Sequence, residues 1–393
     1  MQGFKDPGVL KSGNSLTNDQ YTDQKFDYIL ANPPYGSSWK AFQGKIKELQ
    51  ELGDPRFSEG LPSVSDGQML FLMHIAHKLA PAEGPTKGGR AAIVTNGSPL
   101  FTGDAESGPD GIRKFLIGAE GGNDILDAII ALPNDMFYNT GIATYVWILD
   151  RNKEPRRRGK IQFIDATEMC APMRKNMGQK RVELSDANIR EITKLYKDFE
   201  PSERSIIVTP DELTYRDVPM FKVAHYSVSV TDETVEQALD HKSAFPEHEP
   251  VIRDMAGRAY NELPKALKAS AKKHGVKMGA PLLKHIMTAL AIVDENAPES
   301  FDEKGNPVID SSTKLTERIP YTENVAEHMK REVLPFVPDM KWDESAAKVG
   351  TELPLTRMFY KPEETRSLEE LDAAITASLE RIYAKFKDVR SDD

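Results

Sequence analysis

Phe26-Asp27-Tyr28-Ile29-Leu30-Ala31-Asn32-Pro33-Pro34-Tyr35 is the stretch whose reading decides the fold. A mostly apolar run bounded by turn residues reads as a buried strand. Ending it in Asn-Pro-Pro-Tyr brings carbonyls and an aromatic ring to the carboxyl edge of a sheet, where open α/β sheets place their ligands. The Asn32 amide oxygen can accept a hydrogen bond from a planar amine, and so can the Pro33 carbonyl. Pro33 and Pro34 fix φ and donate nothing, so the corner is stiff. Tyr35 offers a ring face for stacking and a hydroxyl that stays hydrated or bonded. Together these groups describe a pocket for a planar aromatic amine such as the exocyclic amine of adenine. The plainer alternative is a Pro-Pro pair that only ends a strand and opens a loop.

Outward from this corner, residues 9–14 read as a short strand ending in the turn Ser12-Gly13-Asn14-Ser15. A Gly- and Pro-containing loop covers 36–65, and Asp66 caps a helix whose Met69, Leu72, Met73, Ile75 and Leu79 share a broad face. Residues 90–95 form another buried strand, 110–117 a helix and 125–132 a third strand. Residues 144–150 form a fourth, antiparallel to the third across a short loop, and 161–165 an edge strand. This alternation is the second half of an α/β sheet. Only 31 residues precede Asn32, and they hold no Gly-x-Gly turn of the kind that cradles a nucleotide-like cofactor. Beyond residue 187, Ile189, Ile192, Leu195 and Tyr196 suggest a helix and 221–230 a strand. The polar stretch 235–318 offers no readable chemistry. In the last helix, 367–386, Leu368, Leu371, Ile375, Leu379, Ile382 and Phe386 recur at gaps of three or four. That stripe suits a docking seam or a helix covering its own domain.

A length of 393 residues, with 39% hydrophobic and 28% charged residues, fits two or three ordinary globular domains. The lone cysteine, Cys170, excludes an internal disulfide and fits a reducing, cytoplasmic setting. No charged leader followed by an apolar run opens the chain, so secretion is not expected. The longest apolar region, 125–149, is broken by Pro133, Asn134, Asp135 and Asn139, so no membrane is expected. Net charge is −10, whereas a chain gripping nucleic acid unaided carries a basic face. Arg156-Arg157-Arg158 and the group Arg174, Lys175, Lys180 and Arg181 are candidates for a local basic stripe; for the arginine run, a solvated surface is the plainer reading. The eight histidines show no ligand spacing, so no metal is expected, and His74 and His77 read as ordinary helix residues.

Several segments together resemble the modification (methyltransferase) subunit of type I restriction–modification systems, of the N-6 adenine-specific DNA methylase family. They are Asp6-Pro7 with Gly13-Asn14-Ser15-Leu16, the tetrad with its strand, Asp66-Gly67-Gln68, Pro99-Leu100-Phe101, and Leu132-Pro133-Asn134-Asp135-Met136-Phe137-Tyr138 with Thr140-Gly141-Ile142-Ala143-Thr144. Later come Lys330-Arg331-Glu332-Val333-Leu334-Pro335 and Lys348-Val349-Gly350-Thr351-Glu352. The resemblance covers the chain to about residue 184 and again over 320–382.

It implies an α/β fold: a partial Rossmann-like, S-adenosyl-L-methionine-dependent methyltransferase sheet with a mostly helical carboxyl-terminal region. The domains would be 1–166, catalytic, and 167–393, a helical tail whose last helix docks on a subunit. The implied reaction is methyl transfer to adenine N6 in duplex DNA, with the base taken out of the stack. Asn32, Pro33, Pro34 and Tyr35 would be the catalytic group, with Asn32 and Pro33 holding the amine and Tyr35 stacking on the base. Phe137 would take the opposite face, with Tyr138 in reserve, although a core role for Phe137 stays open. Asn14 and Asn32 would lie near the cofactor, and Asn14 is equally a turn-forming residue. Asp66 reads as a helix cap. Implied partners are duplex DNA, a specificity subunit met by the 348–360 tail, and a restriction subunit.

Family members also carry a helical amino-terminal domain, a glycine-rich cofactor loop and an acidic residue for the ribose, none of which is visible in this sequence. The expectation is therefore weak cofactor binding and no activity for the chain alone, with the first sheet strand left at an open edge. Two other readings stay open: a non-catalytic assembly module docking on a specificity subunit, and a methyltransferase acting on a protein glutamine or an RNA base.

Overall fold

The apolar runs on either side of the diproline corner assemble into one mixed sheet. The structure, a computed structural model, describes residues 10–83, 87–138, 140–360 and 367–391, by backbone alone from 384 onward. Asp6-Pro7, Asn139, and the start of the 9–14 segment lie outside the described residues, as does the Phe386 side chain. In chain order the elements of the first part are β1 (Tyr28–Ala31), α1 (Gln43–Glu51), α2 (Gln68–Lys78), β2 (Arg90–Asn96), α3 (Ser98–Phe101), α4 (Gly108–Ile117), β3 (Leu126–Ala131), β4 (Thr144–Asp150), β5 (Ile161–Asp165), β6 (Ala171–Met177), β7 (Lys180–Glu183), α5 (Asp186–Asp198) and β8 (Ser205–Val208). Six strands form the sheet in the order β1-β2-β4-β3-β5-β8. β1 runs parallel to β2, β4 lies antiparallel between β2 and β3, and β5 is parallel to β3.

Several expectations change. Residues 10–14 form no strand; Asn14 instead opens a turn, its carbonyl accepting from the amides of Thr17 and Asn18. β5 is not an edge, because β8 pairs with it antiparallel, Phe163 opposite Ile206. The sheet thus continues past residue 166. β1 is buried on one face only: Ile29 and Ala31 pack on the core, while Tyr28 and Leu30 are 80% and 85% exposed. β2 is its only sheet partner among the described residues.

The core fills the space beneath this sheet. Met69, Leu72, Met73 and Ala76 of α2 and Ile112 and Leu116 of α4 meet Ile93, Ile129 and Trp147 from the strands. Trp147 is fully buried, and its Nε1 donates to Thr95 Oγ1 at 2.9 Å.

The later chain adds β9 (Thr214–Phe221), β10 (Tyr226–Val228), α6 (Asp232–Leu239), α7 (Glu249–Arg253), α8 (Leu263–Lys273), α9 (Ala280–Leu290), β11 (Ala291–Val293), β12 (Leu315–Pro320), α10 (Val325–His328), β13 (Lys341–Trp342), β14 (Lys348–Thr351), α11 (Leu355–Phe359) and α12 (Leu368–Ser391). The single strand expected over 221–230 is two, because Val223 and His225 between them form isolated bridges to Ile309 and Glu299. Within the polar stretch 235–318, α6 to α9 bury a core of their own around Ile252, Leu267, Leu283 and Ile286. Among the described residues no helix is long and apolar enough to cross a membrane.

The segment around Thr351, expected to meet another subunit, is locked into this chain. Thr351 N and Oγ1 donate to Asp110 Oδ1 at 2.6 and 2.8 Å, and Arg113 Nε donates to the Thr351 carbonyl at 2.9 Å. All three residues are fully buried, and Leu353 and Leu355 follow them into the core of the sheet. A side chain at Gly350 would come within 2.5 Å of the Tyr215 ring, so glycine is required there. α12 differs: Leu368, Leu371, Ile375, Leu379 and Ile382 are each at least 42% exposed, so its stripe does not cover its own domain.

Asp110→Ala leaves Arg113 buried without its carboxylate and is expected to cost about 3–5 kcal/mol, read as a lower denaturant midpoint. A second expectation concerns pH. Burial, and then the charge of Arg56, hold the His74 pKa down to about 4, and burial with Arg151 does the same for His77. A histidine whose folded pKa lies below its unfolded value takes up its proton first in the unfolded chain. Stability is therefore full above about pH 6.5 and declines as pH falls toward 4. Chemical denaturation across that window should show the decline, with a shallower slope in His74→Gln.

Candidate active site

The carboxyl ends of β1 and β2 and the loop leaving β3 meet at one edge of the sheet. Pro33 is buried and anchors the corner, whereas Asn32 and Pro34 are exposed and Tyr35 is half-buried. Tyr35 donates its hydroxyl to Asn32 Oδ1 at 2.5 Å. Burial raises the Tyr35 pKa while the Asn32 bond pulls the other way, so the phenol stays protonated as a donor. This bond fixes the direction of the Asn32 amide and uses one of the two lone pairs on its oxygen; the second remains for a ligand. No backbone amide among the described residues donates to the Pro33 carbonyl.

Phe137 reaches the same place because β3 and β4 are antiparallel, so their connecting loop turns over the carboxyl edge. The Tyr35 and Phe137 ring centroids lie 6.3 Å apart at 79°, edge to face. The two candidate stacking residues are thus together, but not as a parallel slot; one ring must turn for a flat base to lie against both. Phe137 is also half-buried against the small core cluster that includes Ile130, Leu132 and Ile164, so the core reading holds in part. Tyr138 is 53% exposed.

Two supports were invisible to pattern reading. Gln68, fully buried, donates its Nε2 to both carboxylate oxygens of Asp66 and to Asn96 Oδ1, and its Oε1 accepts from Asn96 N at 2.9 Å. Asn96 Oδ1 also accepts from Ser98 N. This network pins the end of β2 beside the tetrad. Asp66 Oδ1 accepts from Gln68 N at 3.1 Å, while Gly67 occupies the N-cap position, so Asp66 caps from one residue farther out than expected. The signals in the sequence are the Asp66-Gly67-Gln68 segment and a glutamine on an apolar helix face, and neither points to Asn96. The second support is the β6–β7 hairpin. Arg181 N donates to the Asp135 carbonyl at 2.8 Å and Gln179 N to the Tyr138 carbonyl at 3.0 Å. Gly178, at φ +63°, leaves room where a Cβ would come within 2.6 Å of the Tyr138 carbonyl oxygen.

Asn14 is a turn former: its Oδ1 accepts from Leu16 N at 3.0 Å. It also lines a cavity of about 360 Å³ with Pro34, Ser37, Trp39 and Phe71, so it adjoins the tetrad through Pro34 and does not meet Asn32 or Phe137 there. The size suits a small-molecule site, and the Asn14 amide nitrogen, the serine hydroxyls and the aromatic rings suit part of S-adenosyl-L-methionine. The lining has no carboxylate, so the donor's ribose and ammonium need groups from outside this cavity.

The arginine run is split between interior and surface. Arg157 is buried, donates to Asp127 Oδ2 at 3.1 Å and to the Tyr196 carbonyl, and lies over the Tyr196 and Phe199 rings. Arg156 binds Glu154 and the carbonyls of Lys197 and Asp198 at the end of α5. Arg157 fits neither the solvated surface nor the nucleic-acid stripe, whereas Arg156 and Arg158 are exposed, as the solvated-surface reading has them.

Residues 4–238 match the family model described as N-6 DNA Methylase. Among curated proteins, the Type I restriction enzyme MjaIX methylase subunit of Methanocaldococcus jannaschii is 28% identical over 202 residues, covering 50% of this chain and 32% of the relative. The Type I restriction enzyme HindI methylase subunit of Haemophilus influenzae is 32% identical over 160 residues, covering 40% and 31%. The chain spans about a third of the length of these curated relatives. A solved type I restriction-modification system methyltransferase subunit from Streptococcus thermophilus aligns at 29% identity with a TM-score of 0.40, over 50% of this chain and 37% of that one.

Titration of S-adenosyl-L-methionine into the chain by calorimetry is expected to show binding weaker than about 100 μM, roughly −5.5 kcal/mol, because the cavity offers amide and hydroxyl groups but no carboxylate.

Proposed function

We propose, for a chain that belongs to the N-6 DNA methylase family, that the Asn32–Tyr35 corner acts in methyl transfer to the N6 amine of adenine rotated out of duplex DNA, within the modification subunit of a type I restriction–modification system. The observation that carries this reading is the Tyr35–Phe137 ring pair beside an Asn32 amide held in position by the Tyr35 hydroxyl. S-adenosyl-L-methionine, when bound, supplies a methyl group carried on a sulfonium.

The chain's own residues do the rest. The second lone pair of Asn32 Oδ1 and the Pro33 carbonyl accept the two amine hydrogens, which turns the nitrogen lone pair out of conjugation and toward the methyl. Oriented acceptors act where positive charge develops on the nitrogen, the setting in which fixed dipoles contribute most. The tetrad contains no carboxylate or imidazole, so it polarises the N–H bonds and leaves proton removal to solvent. Tyr35 and Phe137 replace the stacking that the extruded base has lost, offsetting a cost of roughly a few kcal/mol. Asn14 faces the donor side of the corner through the cavity it shares with Pro34.

The chain would act with a specificity subunit, docked through the exposed Leu371–Ile375–Leu379 stripe of α12, and with a restriction subunit. A single cysteine supports a cytoplasmic setting. The same stripe also favours a second reading, a non-catalytic assembly module: co-purification with a specificity subunit, and no methyl transfer by the assembled complex, would select it.

The deciding measurement is transfer of labelled methyl groups to duplex DNA by the chain assembled with a specificity subunit. Asn32→Ala is expected to lower the rate by about 100-fold or more, and Tyr35→Phe, which keeps the ring but frees the Asn32 amide, by about tenfold. Equal rates in wild type and Asn32→Ala would sink the reading. Label appearing in protein or RNA but not in duplex DNA would move the acceptor to a glutamine or an RNA base.

A further inference from the structure

The β6–β7 hairpin holds four cations, Arg174, Lys175, Lys180 and Arg181, and one carboxylate, Glu183. Arg174, Lys175 and Arg181 are exposed, in a chain whose net charge is −10. Among the described residues none of the four makes an ion pair, whereas Arg56, Arg90, Arg156, Arg157, Arg253 and Arg318 are all matched to carboxylates. The ladder between the two strands slips between Pro172 and Met177, which puts Arg174 and Lys175 in a bulge. Bulges re-aim side chains away from a regular ribbon. The hairpin is also fastened to the loop that carries Phe137: Arg181 N and Gln179 N donate to the carbonyls of Asp135 and Tyr138, and Lys180 Nζ lies 5.2 Å above the Tyr138 ring.

We propose that this hairpin is an arm that grips the phosphates of duplex DNA beside the base extruded toward Tyr35 and Phe137. Unpaired cations on a two-stranded ribbon match the charge and groove dimensions of duplex DNA. Attachment to the Asp135–Tyr138 backbone holds the gripped phosphates at a set distance from the ring pair. The arm rests on the reading that the chain acts on duplex DNA, and it adds the surface through which an acidic chain meets a polyanion. Arg174 and Lys175 at the bulge carry the grip, while Lys180 and Arg181 sit nearer the loop.

The test is equilibrium binding of the full chain to a fluorescently labelled duplex, by anisotropy, over a series of salt concentrations. Wild type is compared with Arg174→Gln/Lys175→Gln and with a charge-matched control on α8, Lys265→Gln/Lys272→Gln. Both pairs are exposed, and thermal melting verifies that the variants fold. The arm variant is expected to bind about tenfold more weakly near 0.1 M salt and to lower the slope of log K against log salt by about 2, with the control unchanged. Acetylation of Lys175 and Lys180, read by mass spectrometry, should fall severalfold when the duplex is present, unlike that of Lys272. Identical slopes for the arm variant and the control, with wild type bound, would overturn the arm while leaving the methyl-transfer reading in place. Absence of salt-dependent binding by wild type would overturn the arm as well.

Discussion

Asp110 and Thr351 stand 241 residues apart in sequence, yet one buried carboxylate oxygen accepts both the amide and the hydroxyl of the threonine. Arg113, one turn along α4, returns a hydrogen bond to the Thr351 carbonyl, and Lys114 binds the Val349 carbonyl. Burying charge this deeply is tolerated when its polar atoms are largely partnered; among the described residues Arg113 Nη2, alone of that guanidinium, makes no hydrogen bond and faces Asp110 Oδ1 at 4.0 Å. β14 supplies the Val349 and Thr351 partners and the Pro99 and Thr102 carbonyls supply the rest, and the chain leaving β14 carries Leu353 and Leu355 into the same core that seats β2, β3 and β4. The height of the carboxyl edge, and with it the position of the Asn32 corner, follows from how α4 is held.

Interior strands were readable because β2 to β5 are short, mostly apolar runs. The antiparallel turn between β3 and β4 followed from a loop too short for a crossover. β8 was not readable: Ser205-Ile206-Ile207-Val208 is four residues long, and only its pairing with β5 makes it a strand. Pairing of that kind is tertiary and leaves no periodicity. β1 departs for the opposite reason: its apolar run implies burial on both faces, whereas Tyr28 and Leu30 face outward.

In the site, the tetrad could be read because each residue type carries its own chemistry. Phe137 could be placed by the loop but its ring angle could not, because that depends on tertiary packing against a core cluster drawn from distant segments. The Asp66–Gln68–Asn96 network and the hairpin beneath Asp135 escaped notice for one shared reason: polar contacts between distant segments have no spacing to recognise. Arg157 is the sharpest case. Its place in a basic triplet pointed to solvent, and only the fold reveals Asp127 waiting for it in the interior.

The edge-to-face contact of Tyr35 and Phe137 describes a closed aperture. Aromatic pairs in this arrangement are worth about 0.5–1.5 kcal/mol beyond area burial, so parting the two rings gives up that contact. The Tyr35 hydroxyl holds the Asn32 acceptor in one direction within this same arrangement.

β1 has four residues and, among the described residues, hydrogen-bonds along one side only. Short strands held by a single neighbour fray first and exchange their amides fastest. The corner hangs from that strand, so its carbonyls share in the strand's breathing unless something lies along the exposed Tyr28–Leu30 flank. Whatever covers that flank would sharpen the aim of the acceptors without touching them, acting as a remote stiffener of the chemistry.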